Sequence, residues 1–241
     1  MSPKTEVPLL AWDSEWLDFP VARFAAGPRC AAAEVRAAVA QARAAGIRLL
    51  YLVLEPGNAP AAAAALASGA WLADSKRTYQ QPLPTGPLPT APSGINLTLS
   101  TTDTPELWQL AVQSGKYSRF RRDARIGPDA FEELYGQWLR RSLAQGLVWS
   151  AALANDPRPV GMLAFDASAT YASIELLAVT PAARRHGIGR QLVQAARRAA
   201  LRHGFSTLQV VTQELNQPAC RFYERCGFEL RRVEHIYHLW L

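Results

Sequence analysis

The sequence predicts an α/β (α+β) protein with a mixed central sheet flanked by helices, preceded by a smaller βαβαβ domain. Three observations predict it. Apolar runs of strand length alternate with helix-period segments along the chain. Pro82, Pro84, Pro87, Pro89 and Pro92 crowd one segment, where each removes a backbone donor and biases its neighbour toward extended conformations. The residues on either side of that segment match each other at a constant offset of 158, which repeat logic reads as two related halves.

Residues 1–81 read as the N-terminal domain. A strand is expected from Phe19 to Phe24, an Ala-rich helix from Cys30 to Ala45 and a strand from Ile47 to Leu54. A helix from Pro60 to Ser68 and a strand from Trp71 to Gln80 complete it. Trp12, Asp13 and Ser14 read as a local turn and strand anchor. Residues 82–94 form the Pro-rich linker.

Residues 95–241 read as the larger domain. Thr104 and Pro105 are an N-cap and first-turn proline for a helix carrying Leu107, Trp108, Leu110 and Ala111. After Pro128, the residues Phe131, Leu134, Tyr135, Trp138, Leu139, Ser142 and Leu143 keep one helical face, and Gly146 ends it. Asn155 to Pro159 is a turn-forming cluster between two strands, Leu147 to Ala154 and Val160 to Phe165, which makes them a hairpin. A strand from Tyr171 to Val179, a helix from Ile188 to His203 and a strand from Ser206 to Thr212 follow. A helix from Pro218 to Cys226 and a strand from Phe228 to Leu239 close the chain.

Composition narrows the class. The 241 residues are 49% hydrophobic and 19% charged, so a disordered chain is a poor description. Alanines number 42, in keeping with Ala-rich helices on a sheet. The net charge of +6 favours an anionic partner without naming it. No run resembles a signal peptide or a membrane span, so the expectation is a cytoplasmic protein with no membrane partner. Cys30, Cys220 and Cys226 form no CxxC pair, and with four histidines they predict neither a disulfide framework nor a metal site. Aromatic residues are not interleaved with a basic stripe, so a nucleic-acid partner is not expected.

In the repeat register Gly46 falls on Gly204, Asn58 on Asn216, Pro60 on Pro218, Ala61 on Ala219, Gly69 on Gly227, Leu72 on Leu230 and Tyr79 on Tyr237, with Val21 on Val179 upstream. Tyr223 falls opposite Ala65 and Gly187 opposite Arg29. The N-terminal domain therefore reads as a degenerate copy that lacks those two residues.

The most specific local signal is Arg184, Arg185, His186, Gly187, Ile188, Gly189 and Arg190, between a strand and a helix start. Such a loop aims backbone N–H groups and the positive end of the helix dipole at one point, which suits phosphate. Glycines permit close approach, and the arginines add charge. Downstream, Asn216, Ala219, Tyr223, Gly227 and Phe228 recur at fixed spacing. Together, R-x-x-G-x-G and N-x-x-A-x-x-x-Y-x-x-x-G-F resemble the GNAT superfamily of acyl-CoA-dependent N-acetyltransferases, from about Ile95 to the C-terminus. Ser118, Arg119, Phe120, Asp123, Tyr135, Trp138 and Ser142, with Trp12, Asp13, Ser14, Phe19, Pro20, Val21, Ala22 and Arg23, resemble the TDP-fucosamine acetyltransferase-like sugar-nucleotide N-acetyltransferases. Tyr135, Trp138 and Ser142 also read simply as core-facing helix positions.

The resemblance implies a GNAT fold, with the first domain a degenerate half-GNAT, and acetyl-CoA as acyl donor with no metal. The strands ending at Val179 and Thr212 would splay, with the pantetheine arm lying between them as an extra strand against Leu177, Ala178 and Val179. The diphosphate would sit on Arg184 to Arg190, and a backbone N–H near Ala178 would face the developing oxyanion. Tyr223 would serve as general acid to the leaving sulfur. Asn216 would orient the pantetheine or a water, with a helix N-cap as the alternative. Glu175 could take the amine proton; a solvated or ion-paired glutamate is the alternative, and water alone could suffice. Arg119 would bind the acceptor's diphosphate, Phe120 offer an apolar wall and Asp123 accept a hydroxyl, although the arginine run also reads as a solvated loop. The implied acceptor is the amine of a nucleotide-linked amino-deoxysugar. Another small-molecule or protein amine is the alternative, and a homodimer stays open.

Overall fold

The computed structural model describes residues 6–84, 94–167 and 171–241. Most of the expected linker, residues 85–93, lies outside the described residues. The chain divides into two compact units. The first comprises residues 1–77, 213–215 and 232–241; the second comprises 78–212 and 216–231.

In the first unit, α1 (Ala11–Leu17), β1 (Val21–Ala25), α2 (Ala32–Ala44), β2 (Leu49–Leu54) and α3 (Ala59–Ala67) are followed by the start of β3 (Trp71–Pro82). The end of β9 (Glu229–Trp240) belongs here too, in the strand order β1-β2-β9-β3. β1 lies parallel to β2, and β9 runs antiparallel to β2 from Leu49↔Trp240 to Leu54↔His235. The run Leu-Leu-Tyr-Leu-Val-Leu of β2 is apolar throughout because the strand is buried over nearly its whole length, as a central strand requires. Val35, Ala38, Val39 and Ala42 make one helical stripe of α2 and are all buried, packing with Ala61, Ala64 and Ala65 of α3 over Leu50, Leu52 and Leu54.

One expectation here is corrected: Trp12, Asp13 and Ser14 lie in a short helix rather than a turn. Trp12 and Trp16 stack one turn apart with centroids 6.2 Å from each other. The Ser14 hydroxyl donates to the Leu10 carbonyl at 2.7 Å and accepts from Val21 N–H at 2.9 Å. That second bond ties the helix to the first residue of β1, so Ser14 does anchor a strand.

The second unit holds the rest of β3 and the sequence β4 (Ile95–Ser100), α4 (Pro105–Ser114), α5 (Arg119–Arg122), α6 (Pro128–Ala144), β5 (Val148–Leu153) and β6 (Asp156–Asp166). It continues through β7 (Ala172–Val179), α7 (Ile188–Arg202), β8 (Thr207–Gln213) and α8 (Gln217–Arg225) to the start of β9. Its strand order is β3-β8-β7-β6-β5-β4. The Asn155 cluster makes the expected hairpin, with β6 beginning inside it at Asp156. α7 buries Ile188, Leu192, Val193, Ala195, Ala196, Ala199 and Ala200, and its alanines let the helix lie close to the sheet. β4 and α5 were not expected. β4 alternates Ile95 and Leu97 toward the core with Thr98, which bonds Ser150 at 2.9 Å, and α5 replaces the expected basic loop.

The offset of 158 carries over into three dimensions. α3 and α8 share their bounds in that register, as do β3 and β9. Asn58 and Asn216 each cap their helix by accepting from the N–H of Ala61 and Ala219, at 3.1 and 3.3 Å. Gly69 and Gly227 both take positive φ, at 93° and 86°, immediately after the helix. The match ends upstream: Val21 opens β1, whereas Val179 closes β7, because in that register α7 starts two residues earlier than α2 and the loop before it is two residues longer.

Candidate functional site

β7 sets the geometry of the second unit. It pairs parallel with β8 at Ala172↔Leu208, Ser173↔Gln209 and Ile174↔Val210, and among the described residues the pairing ends there. On its other side β7 stays paired with β6 through Gly161↔Val179, with a register shift between Ala164↔Leu176 and Phe165↔Ile174. Glu175 is the extra residue of that bulge, and a bulge increases local twist and bends the strand. The five residues from Glu175 to Val179 therefore run past β8 with one edge unpaired. In the first unit the equivalent pairing of β1 with β2 continues to Ala25↔Val53, the end of β1, and Ala26 N–H donates to the Val53 carbonyl at 2.9 Å.

Alternation decides which backbone groups face that open edge. Thr180 N–H donates to the Val160 carbonyl at 2.8 Å. The backbone groups of Ala178 and Leu176 accordingly face β6, and those of Leu177 and Val179 face away. The donor expected near Ala178 thus falls to Leu177 or Val179, since Ala178 spends its N–H on β6. The Val179 carbonyl is engaged from two sides: Gln113 Nε2 donates to it at 3.0 Å and Arg184 Nε at 3.1 Å. Gln113 was missed by sequence reasoning, because a glutamine in the last turn of an amphipathic helix gives no signal of its own.

The loop into α7 is shaped for an anion. Arg185 and Gly187 take left-handed φ of 66° and 81°, a conformation that a non-glycine residue holds at a cost of order 1 kcal/mol. Among the described residues, the backbone N–H groups of 185–190 make no hydrogen bond; the first intrahelical bond is Gln191 N–H to the Gly187 carbonyl at 3.1 Å. Arg184, Arg185, His186 and Arg190 are exposed, and among the described residues none of these arginines pairs with a carboxylate. The two glycines differ in purpose. Gly187 supplies φ, with open space where a Cβ would stand, whereas a Cβ on Gly189 would meet the Phe222 ring at 3.1 Å. Gly161 similarly admits Ile188, whose Cγ2 lies 2.9 Å from where a Cβ would be.

Tyr223 lies on the inner face of α8, 5% exposed, with the rings of Phe222, Phe228 and Tyr79 at 5.3, 5.7 and 6.3 Å. Among the described residues its hydroxyl makes no hydrogen bond. Burial, with smaller contributions from Cys226 and Cys220, pushes its pKa well above the ordinary phenol value, so it holds its proton at neutral pH. Its backbone is fixed by the C-terminal turn of α8: Cys226 and Phe228 N–H both donate to its carbonyl at 3.0 Å. The Cys226 carbonyl accepts in turn from Arg197 and from Gln81 Nε2, the latter at 3.2 Å. Asn216 is the N-cap of α8, so its Oδ1 is committed. Glu175 is exposed.

The acceptor residues are placed differently from one another. Ser118 caps α5, accepting from Arg121 N–H at 3.3 Å. Phe120 and Asp123 are 4% and 3% exposed. Phe120 meets Trp138 edge-on at 6.5 Å, and Asp123 accepts from Arg125 N–H at 3.1 Å, so packing and turn formation occupy them. Arg119 is half-buried with its guanidinium 4.1 Å above the Phe120 ring. Arg119 lies six positions after Gln113, so its Cα is at most about 20 Å from that of Gln113, whose side chain bonds the end of β7. Tyr135 and Ser142 are buried on α6, as core-facing helix positions would be.

A family model described as the acetyltransferase (GNAT) family matches residues 107–228, the stretch from α4 to the glycine turn after α8. The chain belongs to the GNAT family. It is 26% identical over 138 residues to the spore coat polysaccharide biosynthesis protein SpsD of Bacillus subtilis, covering 57% of this chain and 48% of that one. It is 36% identical over 131 residues to a dTDP-fucosamine acetyltransferase of Escherichia coli, covering 52% and 54%. The chain thus spans about half the length of these curated relatives. A solved tandem GNAT protein from the clavulanic acid biosynthesis pathway superimposes with a TM-score of 0.55 at 20% identity, over 91% of this chain and 75% of that one. The GNAT fold expected from the sequence is therefore present. Among the described residues no helix is long and apolar enough to cross a membrane, and no group of His, Cys, Asp and Glu could hold a metal ion.

Proposed function

We propose that the protein is an acetyl-CoA-dependent N-acetyltransferase acting on the amine of a nucleotide-linked amino-deoxysugar. The single observation that carries the acetyl-CoA reading is the parting of β7 from β8 at Ile174↔Val210, beside a loop whose backbone N–H groups at 185–190 have no hydrogen-bond partner among the described residues. An unpaired strand edge suits the amides of an extended arm, and the loop with its exposed arginines suits a diphosphate. When bound, acetyl-CoA supplies a thioester whose C–S bond breaks as the amine nitrogen forms the new C–N bond.

The chain's own residues divide the remaining work. Leu177 and Val179 offer backbone groups to the pantetheine amides, and one of their N–H groups faces the thioester oxygen as charge develops there. Arg184, Arg185, His186, Gly187, Ile188, Gly189 and Arg190 hold the diphosphate. Tyr223, kept protonated by burial, gives its proton to the departing sulfur and regains one from solvent. Glu175, exposed at the bulge, takes the proton that the amine loses, directly or through water. Asn216 positions α8, and so Tyr223, through its cap.

The acceptor assignment draws on the names of the two curated relatives and on Arg119, which we assign to the acceptor's diphosphate. Burial of Phe120 and Asp123 favours the alternative, another small-molecule or protein amine. Thiol release from acetyl-CoA across a panel of TDP- and UDP-aminosugars tests the substrate. Release with at least one of them is expected; tight acetyl-CoA binding without release on any member contradicts the sugar-nucleotide assignment.

We further propose that residues 1–81 are a degenerate GNAT-like domain, joined by 82–94 to a catalytic domain at 95–241. The shared bounds of α3 with α8 and of β3 with β9 support it. Its full-length β1–β2 pairing leaves no edge for a pantetheine arm.

A further inference from the structure

We infer that Arg184 is a displaceable plug on the acyl-donor site, coupling diphosphate binding to opening of the β7 edge. The inference rests on the acetyl-CoA reading above and adds a step to it. The Val179 carbonyl is the last acceptor on the unpaired edge of β7, where an amide of an extended pantetheine would donate. A carbonyl oxygen has two lone pairs, and both are taken, by Gln113 Nε2 at 3.0 Å and Arg184 Nε at 3.1 Å. A third donor can enter only if one of these leaves.

The two are not equally easy to move. Gln113 is half-buried on the last turn of α4, whose Leu107, Leu110 and Ala111 are buried in the fold. Arg184 is exposed, on a long flexible stem, and among the described residues no carboxylate pairs with it. It stands three residues before Gly187, at the mouth of the loop whose N–H groups make no hydrogen bond among the described residues. A diphosphate arriving there offers its guanidinium a charge-assisted bond, stronger than one to a neutral carbonyl. Arg184 then swings off Val179, and the freed lone pair accepts the pantetheine N–H, while Gln113 keeps the other and holds α4 against the edge. The diphosphate end of the cofactor thereby opens the site for its arm, and a thioester lacking that end meets a plugged edge.

Linkage supplies the test, because two ligands that favour the same swung-out state must tighten each other's binding reciprocally. Binding of pantetheine is measured by isothermal titration with and without saturating inorganic diphosphate, on the wild-type chain and on Arg184→Ala and Arg184→Met; CoA is titrated in parallel. In the wild type, diphosphate is expected to tighten pantetheine binding by at least about fivefold. Both variants are expected to bind pantetheine alone more tightly than the wild type, to bind CoA more weakly, and to show no coupling. Pantetheine binding that ignores diphosphate in the wild type, or coupling that survives in both variants, overturns the plug while leaving the acetyl-CoA site in place. A wild-type chain that binds no CoA overturns that site and the plug with it.

Discussion

At the scale of single residues, the proposed mechanism rests mostly on Tyr223. Its ring is fixed by three aromatic neighbours and its hydroxyl is unbonded among the described residues, an arrangement in which the proton is available rather than committed. Tyr223→Phe removes the proton while keeping the packing. It is expected to lower kcat about 100-fold or more with a much smaller change in CoA affinity, as steady-state rates beside a titration would show; an unaltered rate removes the residue from its role. The raised phenol pKa has a consequence for stability as well. Because the folded value lies above the unfolded value of about 10, the unfolded chain ionises first as pH rises. The stabilisation is thus full below about pH 10 and is lost as pH climbs through the folded value. Denaturant melts between neutral pH and pH 11 are expected to show a fall in stability above about pH 10 that is shallower in Tyr223→Phe. The phenol was legible because its spacing from Asn216 and Gly227 is a sequence property. Gln113 was not, because its partner is a backbone carbonyl 66 residues away.

Helices were legible in proportion to their length. The long periodic helices α2, α6 and α7 and the apolar strands β2 and β8 show their period over two turns or several alternations. α1, with seven residues, and α5, with four, are too short to show one, and Ser14 and Ser118 reveal their capping or anchoring only through contacts. The parting of β7 from β8 was expected from the resemblance, whereas the bulge at Glu175 was not expected; nothing in the local sequence announces either. Packing between α4 and α6 rests on two glycines: a Cβ on Gly136 would overlap the Trp108 ring, and one on Gly115 the Tyr135 ring. Gly136→Ala is expected to cost about 1–3 kcal/mol, read as a lowered denaturation midpoint. The paired caps give a sharper comparison. Asn58→Ala and Asn216→Ala each lose an N-cap worth about 1 kcal/mol, but Asn58 also donates to the Cys30 carbonyl at 2.9 Å. Asn58→Ala is therefore expected to destabilise the chain more, and Asn216→Ala to impair turnover more. Equal losses of stability would show that the Cys30 bond contributes nothing.

For the molecule as a whole, the repeat was visible as matched turn and cap residues, and the elements they punctuate share bounds in the structure. The sequence does not show that the end of β9 pairs with β2 in the first unit, since strand partners so far apart in the chain leave no local trace. The halves differ where function is proposed. β7 runs five residues past its last pair with β8, and the loop after it carries Gly187 and N–H groups that make no hydrogen bond among the described residues; β1 is paired to its end, and Arg29 stands opposite Gly187. One acetyl-CoA site is therefore expected in the second unit and none in the first. Isothermal titration of acetyl-CoA into the full chain tests this most directly: saturation at one acetyl-CoA per chain is the expected result, and saturation at two, or no binding at all, contradicts it.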